Sequence, residues 1–208
     1  MISQGALDEL WDFGDPAGSE DRLRAAAAAA SPEEAPEYLT QVARALGLQD
    51  RFDQARALLD SLDPAACTAA ALVRIDLERG RVENSAGRPE AAIPCFLRAA
   101  AAAAAESLDF LRIDAMHMLA IADRDHAADW TAQAIRAAER STDDRTRRWN
   151  VALHNNHGWT LYEAGDVDAA VAEFEQALAW AEQVGTASQR QYAREALAEA
   201  LAHGDTDA

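Results

Sequence analysis

Apolar residues recur along this chain at helical spacing, most clearly over residues 151–184. In the second half of that stretch an apolar residue returns every three or four positions from Val167 to Ala181, which is the period of one helix face. The first half contains Gly158 and ends at Gly165, a residue type that suits the left-handed conformation in which many helices stop. The stretch is therefore predicted to be a hairpin of two helices.

Three earlier stretches share the same order of small and large positions. A small residue recurs in each predicted first helix, at Ala43, Gly80, Ala115 and Gly158. Twelve positions later every copy has alanine, at Ala55, Ala92, Ala127 and Ala170. Four positions further on stand Leu59, Phe96, Thr131 and Phe174. Small side chains let two crossing helices approach, and a large neighbour one turn away fills the adjacent space.

Composition indicates the same structural class. Apolar residues make up 50% of the 208 positions, and alanine, the best helix former and a poor strand residue, dominates them. Six prolines and ten glycines interrupt the chain, mostly where helices are predicted to end. An all-α fold follows.

This pattern resembles the tetratricopeptide repeat family. The residues that carry the resemblance are Gly158, Tyr162, Ala170, Phe174 and Ala177, with Gly80, Ala92, Phe96 and Ala99 in an earlier copy. Successive copies lie 37, 35 and 43 residues apart, against a family period of about 34. The resemblance implies a right-handed superhelical solenoid of about four hairpins, at about 36–69, 73–106, 108–141 and 151–184. Residues 1–35 are expected to form N-terminal capping helices, and 185–208 a C-terminal capping helix with a short tail.

Two motifs predict helix starts. Ser31-Pro32-Glu33-Glu34 combines an N-cap serine, a proline at the first helical position and a glutamate at the third, so a helix is expected to begin at Pro32. Asp63-Pro64 is expected to open the next helix in the same way.

Charge restricts the partners. A formal net charge of −17 repels phosphate backbones and anionic lipids, so neither nucleic acid nor a membrane is an expected partner. Cys67 and Cys95 have no CxxC spacing, which argues against a disulfide framework or a zinc knuckle. The N-terminus lacks a basic start followed by an apolar run, and the longest apolar tract, Ala99–Ala105, is too short to span a bilayer. A cytoplasmic location is the expectation.

The family resemblance also implies which side chains line a concave groove. They are Arg44, Arg81, Asn84, Arg112, Met116, Asn155, Trp159 and Tyr162. Guanidinium and carboxamide groups suit carboxylates and peptide backbone, and aromatic rings offer rigid contact area. The alternative is that Trp159 and Tyr162 pack between repeats while the arginines pair with local acids. The predicted function is a protein- or peptide-binding scaffold without a cofactor. A sensor of a small acidic ligand is the runner-up, and homo-oligomerisation stays open.

Two further patterns concern polar residues at packing positions. Arg79, Asp114 and His157 each precede the recurring small residue, and they are expected to pair as a polar ladder between repeats because a half-buried charge needs a partner. His154 and His157, with Asp114 and His117, raise the alternative of a metal-dependent enzyme. Zinc needs three or four converging ligands, and no such set is evident, so no metal and no catalytic residue is predicted.

Overall fold

The structure is a computed structural model that describes residues 2–204, with side chains as far as residue 202. Within these residues all regular structure is helical and no strand occurs, so the all-α prediction is confirmed. The helices are α1 Gln4–Asp8, α2 Pro16–Ala29, α3 Ala35–Gly47, α4 Phe52–Asp60, α5 Ala69–Ser85, α6 Pro89–Ala105, α7 Asp109–Ala122, α8 Ala127–Arg140, α9 Asp144–Arg147, α10 Trp149–Glu163, α11 Val167–Val184 and α12 Ala187–Gly204. Single 3₁₀ turns lie at Pro64–Ala66 and Arg124–His126.

The chain divides into two compact units, and the first, which ends at Asp125, contains α1 to α7. Here α5 contacts both α3 and α7, and we call these three helices the inner layer. The intervening helices pack on it: α4 contacts α3 and α5, and α6 contacts α5 and α7. The unit is thus a run of helical hairpins, as the repeat pattern predicts.

The second unit begins at His126 and contains α8 to α12. Helix α10 packs against α11, which in turn packs against α12, and α10 also contacts α8. The hairpin predicted at 151–184 is therefore α10 with α11, and α12 is the expected helix at the C-terminal side. The third predicted copy, at 108–141, is divided, because α7 belongs to the first unit and α8 to the second.

Glycine allows close helix approach at two of the predicted crossings. A Cβ added at Gly80 would lie 2.4 Å from Cε1 of Phe96, and one added at Gly158 would lie 2.6 Å from Cε1 of Phe174. Real Cβ contacts are essentially never that short, so each phenylalanine ring occupies the space that a side chain would need. The predicted pairing of a small residue with a large one is confirmed at both places.

Both predicted helix starts are wrong by a few residues. Helix α3 begins at Ala35, and the Ser31 hydroxyl donates to the Glu34 carboxylate. Pro36 has no N–H to donate to the carbonyl of Pro32, so regular helical bonding cannot start at Pro32. The Asp63 carboxylate accepts the N–H of Ala65, 3.0 Å away, and closes a single 3₁₀ turn. Helix α5 starts only at Ala69, with Thr68 as its N-cap.

None of the helices in the described residues combines the length and the apolar character that a membrane span requires.

Candidate partner-binding face

The inner layer of the first unit carries five of the predicted groove residues, which differ in exposure and in their hydrogen-bond partners. They are Arg44 on α3, Arg81 and Asn84 on α5, and Arg112 and Met116 on α7. The four polar side chains are half-buried. Met116 is only 2% exposed, so it belongs to the core and offers no surface to a partner.

Arg81 is held by a buried ion network. Its guanidinium donates to the carboxylates of Glu78, on the same helix, and of Asp114, on α7. The Arg81 side chain is 13% exposed, and those of Glu78 and Asp114 are 2% and 6% exposed. The network therefore joins α5 to α7, and Arg81 serves the fold.

The pKa shifts in this network follow from burial and pairing. Burial alone would lower the pKa of Arg81, but the carboxylates of Asp114 and Glu78 raise it above the ordinary value. Burial alone would raise the pKa of Asp114, but Arg81 and Arg44 outweigh it and lower that pKa. Both groups are charged at neutral pH.

Arg79, Asp114 and His157, which were expected to pair with one another, each pair with a different residue in the structure. Arg79 donates to Asp60 over 2.8 Å at an exposed position, whereas Arg81 takes the carboxylate of Asp114. The physical reason is helical geometry: residues two positions apart point in directions about 200° apart, so Arg79 faces away from the side of α5 that Arg81 occupies. His157, in the second unit, has Nδ1 3.4 Å from a carboxylate oxygen of Glu173.

Arg44 has no such acceptor. Its guanidinium carbon lies 5.6 Å from the ring centroid of Trp11 and 5.3 Å from that of Phe13, and these two rings stack 4.9 Å apart. Among the residues that the structure describes, it makes no hydrogen bond or ion pair. Burial and the nearby charge of Arg81 lower the pKa of Arg44.

Arg112 and Asn84 resemble Arg44 in this respect. Neither side chain has a hydrogen bond or ion pair within residues 2–202. The other arginines in helices of the first unit all have partners, namely Arg22, Arg24, Arg56, Arg74, Arg79, Arg81 and Arg98. Among the helical arginines of the first unit, only Arg44 and Arg112 therefore lack any hydrogen bond or ion pair within the described residues, and both lie on the inner layer at predicted groove positions. Two of the paired arginines, Arg56 and Arg74, each keep one buried N–H group without an acceptor.

The N-terminal segment, residues 2–13, lies against this layer. The Ile2 N–H donates to Glu37 over 3.3 Å, Trp11 Nε1 donates to Gln41 over 3.2 Å, and Gln4 accepts a hydrogen bond from Arg74 over 3.1 Å. Leu7 of the same segment is fully buried in the core around α3. The segment thus supplies the rings beside Arg44. Sequence reasoning missed this role, since only the apolar spacing of the segment was informative.

In the second unit the predicted groove aromatics pack within the core. The Trp159 ring lies 5.0 Å from Phe174 and 5.5 Å from Tyr162, both edge-on. Phe174 belongs to the buried cluster of α11 and α12, and Trp159 and Tyr162 are partly buried and pack against that cluster. Asn155 is half-buried on the same helix. The alternative interpretation, in which these rings stabilise the repeat, agrees better with this packing.

The histidines pair with single carboxylates or lie buried. His154 Nδ1 is 2.7 Å from the Glu173 carboxylate. His117 is half-buried beside Asp114, and burial lowers its pKa. Among the described residues no three His, Cys, Asp or Glu side chains are grouped so as to hold a metal ion.

Consecutive helix hairpins with glycine at the crossings define a helical repeat protein. Residues 151–184 match the family model described as tetratricopeptide repeat, which agrees with the resemblance found in the sequence. The fold is similar to the crystal structure of BtubC (BKLC) from P. vanneervenii, with a TM-score of 0.65 and 18% identity over 96% of this chain and 85% of that chain. No curated protein sequence matches the chain significantly.

Proposed function

We propose that this chain is a protein- or peptide-binding scaffold and that its first unit holds a partner on the inner layer. The repeat architecture supports a role in protein interaction in general terms. One observation supports the inner layer as the binding surface. Arg44 and Arg112 make no hydrogen bond or ion pair within the described residues, and both lie on that layer.

A guanidinium N–H group without an acceptor carries a free-energy cost. A half-buried guanidinium loses part of its hydration, and without an acceptor that loss is not recovered. Seven other helical arginines of the unit recover part of this cost by pairing within the protein, although Nη2 of Arg56 and Nε of Arg74 have no acceptor. A partner that brings carbonyl or carboxylate oxygens to the inner layer would satisfy the remaining donors. Arginine is also enriched at the energetic centres of interfaces.

Site-specific crosslinking tests this proposal. A photoreactive phenylalanine replaces Leu48, one helical turn after Arg44 and 50% exposed, in one variant and Leu97 on α6, 43% exposed, in the control. Both variants keep Arg44 and Arg112. After irradiation in an extract of the native host, we expect a discrete crosslinked partner from position 48 and none from position 97. Unchanged thermal unfolding must first show that both variants fold. Equal crosslinking from the two positions, or none from position 48, contradicts the proposal.

A further inference from the structure

We infer that Arg44 binds a carboxylate side chain, Asp or Glu, of a partner segment that reaches the inner layer beside the rings of Trp11 and Phe13. This inference rests on the proposed scaffold function and specifies the chemistry of the partner. The scaffold proposal names only a surface, whereas this inference pairs Arg44 with a carboxylate of the partner.

The Arg44 guanidinium has no hydrogen-bond acceptor among the described residues. The carboxylates of Glu78 and Asp114 raise the pKa of Arg44 through their charge, but both accept hydrogen bonds from Arg81. Within the described residues, Arg44 is left with the two aromatic rings alone. Its guanidinium therefore keeps donors in a planar fork that matches the two oxygens of a carboxylate.

A second observation is the local charge. Burial lowers the pKa of Arg44, and the charges of Arg81 and Arg74 lower it further, whereas Glu78 and Asp114 act in the opposite direction. Because the pKa is lowered, burial and the two arginines outweigh the two carboxylates. An incoming anion would stabilise the charged guanidinium, and an incoming cation would destabilise it. The site thus favours a negative group, although the chain carries a net charge of −17.

A third observation is the apolar surround. Phe13 is 60% exposed. Leu48, the C-cap residue of α3 and one helical turn after Arg44, is 50% exposed. Exposed aromatic and aliphatic side chains beside a partly desolvated charge form the usual setting of a binding hot spot. We therefore expect the acidic residue of the partner to have an apolar neighbour that covers part of this surface.

The competing explanation is that Arg44 only holds the N-terminal segment through its contact with the rings. Arg44→Met separates the two explanations, because methionine keeps an apolar stem against Trp11 and Phe13 but cannot bind a carboxylate. Arg44→Lys keeps the charge and loses the planar fork. Arg98→Met, on α6, removes one positive charge at an exposed ion pair with Asp76 and serves as the charge control.

The experiment is selection of peptides from an unbiased displayed library on the full-length protein, followed by binding titrations with synthetic peptides. On wild-type protein and on Arg98→Met we expect selected peptides to share an acidic position. Replacing that residue by Gln or Asn should weaken binding to the wild type about tenfold or more. The same replacement should have no effect on binding to Arg44→Met, and an intermediate effect with Arg44→Lys.

The outcomes separate this inference from the scaffold proposal. Selected peptides without an acidic preference, or a preference that survives Arg44→Met, overturn the role of Arg44 and leave the scaffold proposal standing. A library that yields no binder of the wild-type protein contradicts both proposals. If succinate then raises the melting temperature of wild type and not of Arg44→Met, the site belongs to a small acidic ligand.

Discussion

Arg44 and Arg81 occupy equivalent positions on neighbouring helices, yet their surroundings are opposite. Arg81 neutralises two buried carboxylates, whereas Arg44 has no carboxylate partner within the described residues. The sequence predicts that both lie on the inner layer, because the spacing from Ala43 and Gly80 is the same. It does not predict which of them is paired, since that depends on Asp114 arriving from α7.

At this scale we expect Arg81→Met to destabilise the first unit strongly. Removing one member of a buried ion network leaves Asp114 and Glu78 uncompensated, at a cost of about 3–5 kcal/mol. Arg44→Met is the matched control, since it breaks no ion pair, and its effect should stay within about 1 kcal/mol. Urea unfolding of both variants at pH 7 measures the difference. Equal losses would show that the network does not support the fold.

The pH dependence of the free energy of unfolding, compared between wild type and Arg81→Met, tests the pairing of Asp114 with Arg81. The pKa of Asp114 is lowered in the folded state, so its stabilising contribution is complete above the unfolded value of about 3.9 and is lost as pH falls through the folded value. Without Arg81, burial dominates and raises that pKa, so protonation then favours folding. The free-energy gap between wild type and Arg81→Met should therefore begin to narrow as the pH falls through the raised pKa of Asp114 in the variant, above about 3.9, and should go on narrowing down to the lowered pKa of Asp114 in wild type. A gap that stays constant into acid contradicts the pairing.

At the scale of helices, the crossing of α5 and α6 depends on the missing side chain of Gly80. We expect Gly80→Ala to lower stability, because the added Cβ meets the Phe96 ring and such overpacking costs about 1–3 kcal/mol. The higher helix propensity of alanine offsets at most about 1 kcal/mol of this. Chemical unfolding followed by circular dichroism measures the net change.

Two comparisons make that experiment decisive. Gly47→Ala, in α3, gains the same propensity but meets Val82 only at an ordinary 3.7 Å, so it should not destabilise. Adding Phe96→Leu to Gly80→Ala should restore part of the loss, because the smaller side chain frees the space. If Gly80→Ala is as stable as Gly47→Ala, the ring is not confined as the structure indicates.

The elements themselves were largely predictable, and their first residues were not. Helical periodicity and the glycine at the crossing are visible in the sequence because they repeat. The start of α3 differs from the prediction because Pro36 cannot donate a backbone hydrogen bond to the carbonyl of Pro32. The start of α5 was misplaced because Asp63 closes a separate turn before Thr68 takes over as the cap.

At the scale of the whole molecule, an excess of acidic residues should oppose folding. With a net charge of −17, self-repulsion is stronger in the compact state and is screened as the Debye length falls from about 30 Å at 0.01 M salt to about 3 Å at 1 M. We therefore expect the melting temperature to rise with sodium chloride, a salt chosen because sulfate would also strengthen apolar burial. A melting temperature that falls with added chloride would show that surface ion pairs outweigh the repulsion.

The division into two units was the part of the architecture that the sequence concealed. The third copy combines Ala127 with Thr131, where two other copies have a phenylalanine at the second position, and it precedes the longest interval of the repeat. These features weaken the pattern at the place where the units divide, yet a weak repeat and a boundary look alike without coordinates. The sequence left the role of the groove aromatics open for a related reason, because a ring at a repeat position suits a ligand and a neighbouring helix equally well.

The backbone N–H of Ile2 donates to the buried carboxylate of Glu37, and this has a practical consequence for anyone searching for the partner. An affinity tag or reporter fused ahead of Ile2 would emerge next to the layer on which the partner is proposed to bind. Such a fusion could block that layer or displace the residues around Trp11, and a screen would then miss a true interaction. Bait proteins should therefore carry no tag ahead of Ile2.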